Sequence, residues 1–107
     1  MASKRFEDLV KLMARLRGPS GCPWDRQQNP RSLRTYLLEE TYEVLDAVDR
    51  DDPKTLQAEL GDLLLQVLFL AQIASEENRF TIEDVLQELH EKLVRRHPHV
   101  FGSKRAD

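Results

Sequence analysis

Apolar residues recur at helical spacing along almost the whole chain, and the breaks in that recurrence divide it into four helices and one irregular loop. Phe6, Leu9, Val10, Leu12, Met13 and Leu16 share one face of a first helix, from about Arg5 to Arg17, which Gly18-Pro19 stops. Residues 18–29, GPSGCPWDRQQN, contain two Gly, two Pro and the single Trp, and read as an ordered loop. A second helix starts near Pro30, with Asn29 as N-cap and Pro in the first helical position, and runs to about Asp49. The acidic turn Asp51-Asp52-Pro53 follows. Asp52 caps a third helix that reaches about Glu77, where Asn78-Arg79 breaks it. Thr81 caps the fourth helix, Asp84 stands where a capping box wants an acid, and Phe80 and Val85 have the spacing of a hydrophobic staple. This helix ends at about Arg96, before Pro98. No alternating strand pattern, repeat or low-complexity segment interrupts the series. The expected fold is all-α and four-helix bundle-like, one domain over residues 1–107, with the second and third helices antiparallel across their short turn.

The third helix is unusual. From Leu63 to Ala74 it is apolar nearly all round, broken only by Gln66 and Gln72. A helix apolar on every side must be covered on every side. Four helices of this size supply little cover, so a homo-oligomer interface is expected, in a homodimer or a dimer of dimers. The other reading is burial within one four-helix core. The run is shorter than the roughly twenty residues that span a bilayer, so no membrane partner is expected.

Composition narrows the class. Hydrophobic residues are 40% and charged residues 33%, too apolar for a disordered chain. A net charge of -3 says little, but its distribution says more. Basic residues gather in the first helix and in the last, where Lys92, Arg95 and Arg96 lie, and acids fill the middle. A basic rim about an acidic centre suits a metal site that receives an anion, and ordinary solvated faces give the same pattern. The basic residues are split between the ends and match no reader motif, so no nucleic acid is expected. A lone cysteine, Cys22, cannot form an internal disulfide, and Lys4, Arg5, Glu7 and Asp8 interrupt any leader-like apolar run, so a cytoplasmic setting is expected.

The acids of the middle form a pattern. On a wheel of about 100° per residue, Leu33, Leu37, Thr41, Val44, Leu45 and Val48 define an apolar face of the second helix, with Glu40 on its edge and Glu43 one step further. Glu59, Asp62 and Gln66 form a polar stripe on the otherwise apolar third helix. Each helix carries an acidic pair at i, i+3. Counted from Asp51, Glu43 mirrors Glu59 and Glu40 mirrors Asp62, so an antiparallel hairpin makes them facing pairs. Converging carboxylates either protonate or bind a cation. Oxygen ligands without His or Cys favour magnesium, manganese or calcium over zinc. The competing reading is a solvated acidic face.

The runs GCPWDRQQNPRSL, LLEETYEVLDAV, AELGDLLLQVLF and KLVRRHPHVF, in this order, resemble the MazG family of nucleoside triphosphate pyrophosphohydrolases, from about Phe6 to Phe101. The resemblance implies an all-α oligomer that uses Mg2+, with Mn2+ as substitute, to hydrolyse nucleoside triphosphates to monophosphate and pyrophosphate. It maps the family's ExxE onto Glu40 and Glu43 and its ExxD onto Glu59 and Asp62. Glu39 matches a position at the site's edge, and Glu39 or Glu43 is the candidate base. Many members carry two such domains in tandem and this sequence holds one. A non-catalytic domain that binds nucleotide or metal and regulates a partner, or that serves in oligomerisation, is therefore the alternative function.

Other residues keep two readings. Lys92, Arg95 and Arg96 grip phosphates or complement a helix C-terminus. Trp24 stacks a base or plugs the bundle end. His97 and His99 anchor the tail or touch substrate. Cys22 reads as a small buried filler and His90 as a partly exposed helix residue.

Overall fold

Local chemistry at the helix ends sets the element order. The structure, a computed structural model, describes residues 2–101 and the side chains of residues 4–101. It contains α1 (Ala2–Leu16), α2 (Pro23–Gln27), α3 (Pro30–Asp49), α4 (Pro53–Glu76), α5 (Ile82–Arg96) and α6 (Pro98–Phe101), and no strand among the described residues. Asn29 Oδ1 accepts from the Ser32 amide at 2.9 Å while Ser32 Oγ accepts from the Asn29 amide at 3.0 Å. Asp52 accepts from the Thr55 amide and hydroxyl, and Thr81 and Asp84 cap reciprocally. These side chains satisfy donors that a helix start leaves unpaired.

The C-terminal ends of α3 and α4 share a device. Asp51 and Asn78 adopt left-handed backbone, φ 52° and 57°. After α3 the amides of Asp52 and Asp51 bond back to the carbonyls of Ala47 and Val48. After α4 those of Arg79 and Asn78 reach Ala74 and Ser75. Both ends are Schellman caps, with Asp and Asn in the position glycine usually takes.

Two expectations change here. The segment 18–29 is not wholly irregular: it holds the one-turn α2. The chain also does not stop being helical at Pro98, which begins the single turn α6. Proline in a first turn costs no hydrogen bond, so both turns form on local chemistry that a 3.6-residue period is too long to reveal.

α3 and α4 form the hairpin that carries most of the packing, and α1 and α5 lie against α4. Met13, Leu33, Leu68, Phe69 and Ile73 form the core, with Phe6, Val10, Leu16, Leu70 and Ile82 packed on it. This core covers only the C-terminal half of α4. Leu60, Leu64, Leu65 and Val67 stay exposed, as do Leu38, Leu45 and Val48 on α3. Full cover of the apolar run within one four-helix core is therefore not what the chain adopts. Counted over its full length, α4 is long and apolar enough to cross a membrane, although Glu59 and Asp62 lie within it. The accessible surface is 8590 Å², where a compact chain of this mass shows about 6,200 Å². The radius of gyration is 16.7 Å against about 13 Å for this length.

Candidate metal centre

Glu40 holds its place through the register of α3. Leu33, Glu40 and Ala47 are seven residues apart and share one stripe, and Leu33 and Ala47 are 1% and 0% exposed. Glu40 therefore lies within the stripe turned to α4, not on the edge of the apolar face. Thr41, Leu45 and Val48 of that expected face turn outward instead. From α4, half-buried Glu59 and exposed Asp62 come to meet Glu40, followed one turn on by buried Gln66.

One carboxylate oxygen from each of Glu40, Glu59 and Asp62 lies within 4.8 Å of the other two. Glu43 stays outside this trio, exposed, although its charge still acts on Glu40. Of the two facing pairs expected from counting, Glu40 and Asp62 are brought together, while Glu59 also lies against Glu40 and Glu43 stays outside the group. Glu39, one residue before Glu40, is exposed.

Burial pushes the Glu40 carboxyl up to about 7. The neighbouring Glu59 carboxylate adds to this, because the two can share a hydrogen bond only when one carries a proton. The charges of Glu59, Asp62 and Glu43 act in the same direction. Glu40 Oε2 is buried without a donor, and so is Gln66 Oε1. A buried acceptor left unpaired is costly, and a cation held by the acid trio would satisfy that of Glu40. The all-oxygen donor set fits magnesium or manganese.

Beside the acids lies an aromatic group. Trp24, on α2, is 48% exposed and meets Tyr36 edge to face at 5.7 Å and buried Phe69 at 6.3 Å. Tyr36 lies four residues before Glu40 and Phe69 seven after Asp62, so both hairpin helices put Trp24 one to two turns from the acids. Arg17 anchors this corner. It pairs with Glu76 through two bonds of 2.8 and 2.9 Å, donates to the carbonyls of Asp25 and Gln28, and lies 5.7 Å over the Phe69 ring. Glu76 is held below the usual carboxylate range by that hydrogen bond. Sequence reasoning gave Arg17 no such role. The available signal was its position four residues after Met13 and seven after Val10, on the apolar side of α1.

The remaining expected residues lie elsewhere. Lys92, Arg95 and Arg96 are on α5, which joins the fold through α4 and α6, and no cation is among the charges acting on Glu40. His97 Nδ1 lies 2.6 Å from the Leu93 carbonyl, at the end of α5, and its ring is 5.8 Å from that of His99. His90 is exposed, and Cys22 is half-buried as the N-cap of α2, without a side-chain bond. A surface cavity of about 510 Å³ over Arg31, Arg34, Thr35, Leu37, Leu38 and Thr41 lies on the outward face of α3.

Residues 28–101 match the family described as MazG nucleotide pyrophosphohydrolase domain. The chain is 58% identical over 97 residues to the nucleoside triphosphate pyrophosphohydrolase/pyrophosphatase MazG of Thermotoga maritima, which covers 91% of the chain and 38% of that protein. It is 51% identical over 104 residues to the nucleoside triphosphate pyrophosphohydrolase of Escherichia coli K12, covering 96% and 40%. It is 52% identical over 96 residues to the uncharacterized protein YabN of Bacillus subtilis, covering 90% and 20%. The chain thus spans well under half the length of these relatives.

Proposed function

The chain belongs to the MazG family of nucleotide pyrophosphohydrolases, and from that premise we propose that it hydrolyses nucleoside triphosphates to the monophosphate and pyrophosphate. The observation that carries the proposal is the convergence of Glu40, Glu59 and Asp62 around a buried oxygen that lacks a donor. These three residues hold the metal, with Glu43 as the fourth carboxylate at the rim. A magnesium or manganese ion bound there supplies charge neutralisation for the triphosphate and a more acidic water. Glu43, exposed and outside the trio, accepts the proton of the water that attacks the α-phosphorus. Glu39 is the second candidate for that role. Trp24, which meets Tyr36 and Phe69 on the two hairpin helices, stacks the base.

Lys92, Arg95 and Arg96 contact the phosphates, where Arg offers a two-pronged fork. We propose that they reach the phosphates from the α5 of the same chain or of a second copy. Assembly as a homodimer or dimer of dimers is supported by the excess of accessible surface, about 2,400 Å² over a compact chain. It is also supported by the open apolar face of Leu38, Leu45, Val48, Leu60, Leu64 and Val67.

The test is pyrophosphate release from a panel of nucleoside triphosphates with and without magnesium. Glu40→Gln and Asp62→Asn are expected to abolish it, and release unchanged in Asp62→Asn sinks the assigned site. One observation favours a second reading: relatives more than twice the length of the chain leave room for the activity to reside outside this segment. No release from any nucleotide, with metal and nucleotide still bound, would establish a regulatory domain.

A further inference from the structure

Tyr36 belongs neither to the buried core nor to the acid cluster, yet it stands between Trp24 and Glu40. Its ring meets that of Trp24 at 77°, with centroids 5.7 Å apart, and both side chains are exposed. It precedes Glu40 by four residues, one turn of α3, which places it on the same side and about 6 Å along the axis. No hydrogen bond among the described residues uses its hydroxyl.

Two rings near a right angle make a corner. A planar base stacked on the indole presents its edge toward the phenol. A phenol hydroxyl both donates and accepts, so it can pair with edge groups that differ between bases. The corner is fixed before any ligand arrives. Phe69, 2% exposed, backs Trp24 from the interior. Arg17 ties α2 to the C-terminal end of α4 through Asp25, Gln28 and Glu76. A rigid wall discriminates better than one that yields to each ligand.

We infer that Tyr36 is a specificity-determining residue, whose hydroxyl reads the edge of the base stacked on Trp24. This rests on the triphosphate reading of the neighbouring acid cluster.

The chain holds one tryptophan, so its fluorescence reports this corner alone. The probes are α,β-methylene triphosphates of the four common nucleosides, which the reaction does not cleave, and inorganic tripolyphosphate, all with magnesium. The nucleotide analogues are expected to quench Trp24 with unequal affinities, and tripolyphosphate to leave it unquenched. Tyr36→Phe keeps the quenching and compresses the ranking of bases to within about threefold. Tyr36→Ala weakens every analogue by about tenfold or more, the scale of one lost base–aromatic contact. Affinity for tripolyphosphate, read by calorimetry, stays the same in both variants.

Equal affinity for the four bases in the unaltered chain overturns the inference. So does a ranking that survives Tyr36→Phe. A Tyr36→Ala effect confined to the oligomeric state, read by light scattering, also overturns it, because the pair then lines an interface between copies. Failure of hydrolysis is a separate result: quenching with no pyrophosphate release keeps the base corner and rejects the enzymatic reading.

Discussion

Metal binding should be coupled to a proton held by Glu40. The perturbation is pH, swept from 6 to 8 in the chain without metal. The folded carboxyl titrates near 7, and a cation needs it ionised. At pH 6 about nine in ten molecules carry the proton, so apparent affinity for Mn2+ falls about tenfold below its high-pH plateau; at pH 7 it falls about twofold. Each ion bound at pH 7 then releases about half a proton. The assay is calorimetric titration with Mn2+ in two buffers of different ionisation enthalpy, which separates proton release from binding. Glu40→Gln, nearly isosteric and uncharged, should bind Mn2+ more weakly and without that slope. The sign for stability follows from the same shift. The folded state holds the proton more tightly than the unfolded one, so the metal-free chain loses stability as pH rises from about 5 through 7, and regains it when metal is added. An affinity that does not change between pH 6 and 8, or an equal slope in Glu40→Gln, refutes the reasoning.

Two predictions concern the scaffold of the site. Arg17→Met should cost about 2–4 kcal/mol, because it leaves two backbone carbonyls without their donor and Glu76 without its partner. The side chain of Glu76 is 35% exposed and water recovers part of the loss, so a shift in urea unfolding below about 1 kcal/mol at fixed protein concentration counts against the anchor. Gly21→Ala should cost about 1–3 kcal/mol and disturb Trp24 emission, since an added Cβ meets the Leu16 and Arg15 carbonyls at the end of α1. Unchanged thermal unfolding in that variant rejects the close approach.

Helix ends were legible because capping is chemistry between neighbours. Asn29, Asp52 and Thr81 each need a donor three residues away, and the sequence displays both members. The rotation of the hairpin was less legible. Counting from Asp51 assigns opposite positions to residues but not the angle at which each helix presents them. In the fold Leu33, Glu40 and Ala47 lie on the inward stripe of α3 and Glu43 is exposed. The outward apolar face of α3 masked this: periodicity marks a face as apolar without saying whether this chain or another covers it. Arg17 escaped for a related reason. Its partners lie 8, 11 and 59 residues away, beyond any local pattern. The acids themselves were visible as types and spacing, and their convergence depended on the fold.

The hairpin has a consequence for how the site comes into being. Glu40, Glu59 and Asp62 all lie on α3 and α4, joined by the tight turn at Asp51. Closing so short a loop costs little chain entropy, and contacts of small sequence separation form early in folding. The carboxylates therefore repel one another already in the first hairpin to close, before α1 and α5 dock. A divalent ion bound at that moment would remove the repulsion. If the acid trio binds a divalent cation, refolding rates should rise with the concentration of that cation.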